Sequence, residues 1–239
     1  MGLLDIPAPL FSAVDGWLAG FLPPLVRLAV WSALIAIVSM ELYRLLSPQK
    51  RIAGLKTALQ AQQKQVSQFD GEFEEAWPMI RRMLGLALRR VAIVLPATII
   101  GSLPVLMLIV WLDGRYGGEY PEPGQPVAVQ VSNGYDGRWV DEGAGTPRAE
   151  ITNETGTPVA EVPLAAPVPV IHKREWWNTL IGNPAGYLPD DAPVDRVEVA
   201  LPRQQLLPVG PDWMRGWEVF FFAALTLFAF SFKSLRRIE

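Results

Sequence analysis

Three stretches of the chain carry apolar residues without the polar interruptions that a water-facing surface needs. Leu28 to Met40 holds no charge and is bracketed by Arg27 and Glu41. Pro23-Pro24 stands ahead of it, where a helix loses nothing by proline's missing amide, so 23–46 predicts a first transmembrane helix. Leu25 to Leu46 reaches roughly 33 Å at helical rise, enough to cross a hydrocarbon core. Tyr43 and Arg44 fall at its far end as interface anchors. The segment 89–112 predicts a second span, because Val91 to Leu112 is uncharged and directly follows Arg89-Arg90. Pro96, Gly101 and Pro104 lie inside it and predict a kink, which a spanning helix tolerates when neighbours re-satisfy the freed carbonyls. The segment 213–239 predicts a third span and a short tail. Its centre, Val219 to Phe232, contains six phenylalanines and no charge, and it runs out into Lys233, Arg236 and Arg237.

The segments between the spans have different periods. In 1–22, Leu10, Phe11, Val14, Trp17, Leu18 and Phe21 recur at helical spacing. They predict a short interfacial helix with Trp17 in the aromatic belt. The segment 47–88 places Ile52, Leu55, Leu59, Val66, Phe69, Phe73, Ile80 and Met83 on alternating three- and four-residue steps. Because the flanking spans make the chain double back, this predicts a coiled-coil-like hairpin turning at Phe69-Asp70-Gly71. The segment 113–212 switches to alternation with period two near 127–131, 148–152, 159–164, 168–172 and 196–201. Asn133-Gly134, Asp136-Gly137 and Gly156 supply turn signals. Short strands at these intervals predict a β-rich domain, a sandwich or an open barrel, with Glu175 to Tyr187 as loop or short helix. The expected class is therefore a membrane α-helical protein, three spans plus a cytoplasmic hairpin, with an inserted β-rich extracytoplasmic domain.

Charge orients this plan. Segment 41–90 holds nine basic and five acidic residues, and the tail adds three basic ones. The first 26 residues have no basic residue, and 113–216 has eight basic against fifteen acidic. Lysine and arginine collect on the cytoplasmic side. The N-terminus and 113–212 are thus expected outside, and the hairpin and C-terminus in the cytoplasm, as in a multi-pass protein of a cell inner membrane. The first basic residue is Arg27, so no basic region precedes the early apolar run, and retention of the N-terminal segment is expected. Lys50, Arg51, Arg81, Arg82, Arg89 and Arg90 sit at the membrane-proximal ends of the hairpin, as candidate contacts to anionic lipid or to a partner.

Candidate chemistry is sparse. There is no cysteine and one histidine, His172, which excludes thiolate sites and any histidine-rich metal site within one chain. No nucleophile elbow, P-loop or dinucleotide fingerprint occurs. The pairs Asp141-Glu142 and Asp190-Asp191 lie in Gly- or Pro-rich loops and lack EF-hand spacing. A net charge of −3 does not suggest nucleic acid. The reading is of a non-enzyme without cofactor, whose partners are the lipid bilayer and other membrane proteins. Trp176-Trp177 is a candidate outer docking surface. Arg27 is the candidate functional charge: a cation within a span is costly and by default marks function, although one so near the helix start can also snorkel.

The order of elements resembles the core of the YidC-type membrane insertase superfamily, in particular its minimal three-helix archaeal and endoplasmic-reticulum members. Glu41-Leu-Tyr-Arg-Leu-Leu-Ser-Pro48 leads into the hairpin. Trp77-Pro-Met-Ile-Arg-Arg-Met83 returns from it toward Leu95-Pro96 and Leu103-Pro-Val-Leu-Met107. The resemblance covers about 22–112 and 213–239. It implies a cytoplasm-facing groove that eases polar segments into the bilayer, with a basic residue of the first core helix assisting; only Arg27 matches that residue, and it lies shallower than in the family. The domain at 113–212 has no counterpart in the minimal form. Two functions are expected from this: insertion or assembly of other membrane proteins, or, alternatively, a non-catalytic accessory or scaffold subunit of a larger membrane complex.

Overall fold

The computed structural model describes residues 2–122, 124–132, 134–143 and 145–237. A 3-10 turn at Leu3–Asp5 is followed by α1 (Ala8–Leu18), α2 (Pro24–Leu46), α3 (Gln49–Ser67) and α4 (Phe73–Tyr116). Six strands come next: β1 (Ala128–Val131), β2 (Asp136–Val140), β3 (Arg148–Thr152), β4 (Pro158–Pro163), β5 (Val170–His172) and β6 (Arg196–Val199). A 3-10 turn at Trp176–Thr179 separates β5 from β6, and α5 (Asp212–Arg215) and α6 (Trp217–Arg236) end the chain. Among the described residues, three helices, α2, α4 and α6, are long and apolar enough to cross a membrane, with mean hydropathies of 1.9, 2.5 and 1.6. The chain groups into two compact units, Met1–Val30 with Leu106–Ala223, and Trp31–Val105 with Ala224–Glu239.

The second unit is helical throughout. Only Ser47 and Pro48 separate α2 from α3, since proline cannot continue the ladder of the preceding helix. The chain leaves α3 at Gln68 and re-enters a helix at Phe73, so 47–88 is two helical arms around a break at 68–72. On α3 the seam residue Ile52 is buried while Leu55, Leu59 and Val66 are half-buried. At the tip the expected seam gives way. Phe73 is exposed and lies against Trp77, ring centroids 6.0 Å apart, because it opens a new helix just past the Asp70-Gly71-Glu72 turn.

A boundary at 88/89 is missing from the structure. The return arm and the second apolar stretch are one helix of 44 residues, running four residues past Leu112 to Tyr116. Pro78, Pro96 and Pro104 lie within it. Hydroxyls along the helix return protons to its own carbonyls, Thr98 Oγ1 to Val94 O at 3.1 Å and Ser102 Oγ to Ile99 O at 2.8 Å, leaving no free hydroxyl on the apolar surface. Glu74 and Glu75 in its first turn and Arg115 in its last complement the helix dipole. α2 and α4 approach closely at Gly101, where an added Cβ would stand 3.3 Å from Tyr43 Cβ and 3.4 Å from Ser39 O. At the end of α6, Arg236 meets Glu41 at 2.8 Å, and Arg44 shares the same carboxylate at 2.7 Å.

In the first unit the β domain is a single antiparallel sheet in the order β4-β3-β2-β1-β6-β5. It forms a half-barrel, the open form of the two expected architectures. Alternation buries one face: Ala149 and Ile151 of β3, Val162 of β4, Ile171 of β5, and Val197 and Val199 of β6 pack with Leu164, Leu188 and Val194. The edge strand β4 begins and ends in proline, which withholds amides from any further strand.

The expectation missed β2, reading Asp136-Gly137 as a turn. Gly137 is instead a strand residue paired with Val129 and Ile151. A Cβ there would lie 2.5 Å from Val129 Cγ1 and 2.7 Å from Val131 Cγ2, so the glycine makes room for two β1 valines. The β3–β4 turn is built on Asn153. Its Oδ1 accepts from the amides of Thr155 (3.1 Å) and Thr157 (2.8 Å), and Gly156 takes a positive φ of 77°. His172 is a packing residue. Its ring lies 5.0 Å from Trp177 and 6.0 Å from Tyr187, and Nδ1 contacts the Lys173 carbonyl.

Candidate functional site around Arg27 and Asp15

Residues 8–22 are apolar on most sides, but α1 carries Asp15 on the face that also holds Phe11 and Leu18. This is why the single apolar stripe expected for the helix is split. Asp15 and Leu18 are buried, while Leu10, Trp17 and Phe21 face away and are exposed. The chain leaves α1 through a tight turn, Ala19 N to Asp15 O and Leu22 N to Leu18 O, and enters α2 at Pro24. That turn brings the first helical turn of α2 back beside Asp15.

Arg27 therefore does not stand alone. It is 8% exposed and Asp15 is fully buried. Arg27 Nη1 donates to Asp15 Oδ2 at 2.6 Å and lies 3.4 Å from the Asp15 carbonyl. Tyr116 OH, from the end of α4, donates to Asp15 Oδ1 at 2.9 Å. The Arg27 guanidinium also sits 5.7 Å from the Tyr116 ring centroid, a cation–π distance. Arg115 adds a second, half-exposed cation, its Nε 3.6 Å from Asp15 Oδ2. Close by, Trp111 Nε1 donates to Ser12 Oγ at 2.9 Å and the Phe11 ring packs edge-on to Trp111. The result is a buried carboxylate with both oxygens engaged, holding α1, α2 and α4 together. Burying such a pair is expensive, and removing one member strands the other charge.

A cleft of about 510 Å³ opens beside this network, lined by Asp5, Ser12, Trp111, Arg115, Tyr120 and Pro184 among others. Its polar groups are engaged by the fold. Asp5 Oδ2 accepts from the amides of Gly2 and Gly182, both at 2.7 Å. Ser12 serves Trp111 and Arg115 leans on Asp15. Tyr120 donates to Leu164 O at 2.7 Å, and burial pushes its phenol pKa above the ordinary value. The arrangement presents a mixed polar and apolar wall with one cation at its edge and, among the described residues, no nucleophile paired with a base.

The other expected contact residues lie elsewhere. Trp176 is 80% exposed. Trp177 is less so, with its indole N–H donating to Glu175 at 2.8 Å and its ring against His172. Lys50, Arg51, Arg81, Arg82 and Arg89 are exposed and Arg90 is half-buried, all in the helical unit. Sequence reasoning singled out Arg27 and did not name Asp15, Tyr116 or Arg115, which gather around it. The available signal was that Asp15 is an acidic residue within an otherwise apolar helical face, which asks for a buried cation.

The sequence matches no protein-family model, no curated protein and no solved structure.

Proposed function

We propose that this chain is a non-catalytic accessory or scaffold subunit of a larger membrane complex, embedded by α2, α4 and α6 in a cell inner membrane. The hairpin arms and C-terminus face the cytoplasm in this reading, and the β domain lies outside. One observation carries the proposal: the cation of the first apolar helix is already neutralised, whereas the longest helix leaves an apolar stripe uncovered. Arg27 has its counter-charge in Asp15. On α4, Phe73, Trp77, Leu84 and Leu88 are exposed, and the stripe continues through Val91, Leu95 and Ile99. The part from 91 onward suits lipid. The part from 73 to 88 precedes the apolar run, and at helical rise it reaches some 25 Å beyond it, so it suits an apolar protein face. Arg81, Arg82 and Arg89 flank it and favour an acidic rim on that partner.

Insertion or assembly of client membrane proteins is the second reading. The order of elements favours it: an apolar helix, two hairpin arms, and two further apolar helices. The two readings separate in one experiment. The chain is purified in mild detergent with its companions, which are identified by mass spectrometry. Trp77→Ser/Leu84→Ser/Leu88→Ser should lose a stoichiometric companion while its own abundance holds, if the chain is a scaffold. An insertase instead loses client insertion on the paired change Arg27→Met/Asp15→Leu, which removes the cation without stranding its buried carboxylate, with its companions unchanged. Retention of every companion by the triple variant would remove the scaffold proposal.

A further inference from the structure

The only charged residues in 1–26 are Asp5 and Asp15. Both are turned inward onto partners: Asp15 onto Arg27 and Tyr116, and Asp5 onto the amides of Gly2 and Gly182. Among the described residues 2–26, no charged side chain faces outward. Leu3, Ile6 and Leu10 are exposed there, and so are Trp17 and Phe21, whose rings meet edge to face at 4.8 Å. An outer face this apolar on a water-soluble surface would be a liability.

A second exposed apolar group adjoins it. The β5–β6 connection holds Trp176, Leu180 and Ile181 outward. It is clamped to the N-terminal segment by two bonds, Leu4 N to Leu180 O at 2.9 Å and Gly182 N to Asp5 Oδ2 at 2.7 Å. Gly2 is packed so closely that a Cβ on it would stand 2.6 Å from the Leu180 carbonyl carbon, so the contact is between backbones. The N-terminal segment and the connection therefore form one surface with two contributors far apart in sequence. Exposed Arg174 stands two residues before Trp176, its guanidinium 5.9 Å from the Tyr187 ring centroid.

We propose that this composite surface is seated in bilayer lipid, and that it fastens the β domain to the membrane through the Asp5 clamp. The occupant is lipid because the surface is continuous with a span. Phe21 precedes Pro24, where the apolar α2 begins, by less than one turn. An uncharged aromatic-rich face with a cation at its edge is also the composition of an interfacial membrane anchor. The inference rests on the membrane reading given above.

The chain's lack of cysteine makes the test direct. Single cysteines replace Ile6, Leu180, Leu227 and Thr155 in the full chain, carry a spin label, and are reconstituted into phosphatidylcholine–phosphatidylglycerol nanodiscs without other proteins. Collision with oxygen and with a water-soluble nickel chelate then reports depth. Leu227, exposed on α6, is the lipid reference, and Thr155, at the β3–β4 turn, is the aqueous one. The labels at 6 and 180 should be shielded from nickel about tenfold relative to 155, as residues sunk into the headgroup–acyl boundary are. Nickel accessibility at 180 equal to that at 155, with 227 still in lipid, overturns the anchor. An aqueous 227 overturns the membrane reading itself. Asp5→Ala should return the 180 label to water while 6 stays in lipid and the circular dichroism of the β domain is unchanged; a 180 label that remains in lipid overturns the role of the clamp.

Discussion

Arg27 and Asp15 are best treated as one unit. Each alone would be a charge in an apolar surround, and breaking such a pair costs about 3–5 kcal/mol, whereas replacing both by apolar groups is often neutral. Arg27→Met and Asp15→Leu should therefore each lower the midpoint of thermal unfolding in detergent, and the double variant should recover most of the loss. Additive losses in the double variant would show that the two residues act separately. Gly137 makes a smaller, purely steric demand. Gly137→Ala drives a methyl into Val129 and Val131, so it should destabilise the β domain by about 1–3 kcal/mol, read by denaturant unfolding. Tyr120 titrates in the opposite sense to a stabilising carboxylate. Its phenol is held neutral by burial, so its folded pKa lies above the unfolded value near 10. Its contribution is complete below that pH and is lost as pH rises through the folded pKa. Unfolding midpoints should fall more steeply above pH 10 for the native chain than for Tyr120→Phe.

Among the elements, α4 differs most from what the pattern of residues foretold. A coiled-coil-like arm and a spanning helix have nearly the same period, 3.5 against 3.6, so hydrophobic spacing gives no reason to join or to part them. The charged residues Arg89-Arg90 interrupt the apolar pattern without ending the helix. Its close approach to α2 depends on the missing side chain at Gly101. Gly101→Leu has no room against Tyr43 and Ser39 and should destabilise the helical unit, measurable as a lower unfolding midpoint in detergent, while Gly85→Leu, with open space around its Cβ position, should not. β2 went unseen for the opposite reason. Glycine is a good turn residue by local preference, and here a tertiary demand from β1 overrode that preference. The strands with clean alternation, β1, β3 and β6, had none of this ambiguity and were placed to within a residue or two.

For the whole molecule, sequence alone determined the number of apolar helices, the break at 68–72 in the helical stretch between the first two, and the β domain between the second and third. These follow from local quantities: run length, period, and the sign of charge at each boundary. A free cysteine at Ser67 and one at Thr155, in otherwise native chain, should react with impermeant reagents from opposite sides of an oriented membrane; reaction of both from one side would overturn the crossing by α4, and reaction of each from the side opposite to the expected one would reverse the charge-based orientation. Only the tertiary structure decided what Arg27 does. In the sequence it was an isolated cation twelve residues from an aspartate, with no rule at that spacing to pair them, because the pairing depends on how a turn at 19–23 folds α1 back on α2 and on where α4 ends. The same holds for the joint between residues 2–6 and 180–182, about 175 positions apart in the chain. Periodicity reports which face of an element is apolar, since every residue carries that information itself. It does not report which other element supplies the counter-charge or the backbone partner, since that is a property of the packed arrangement and not of any segment alone.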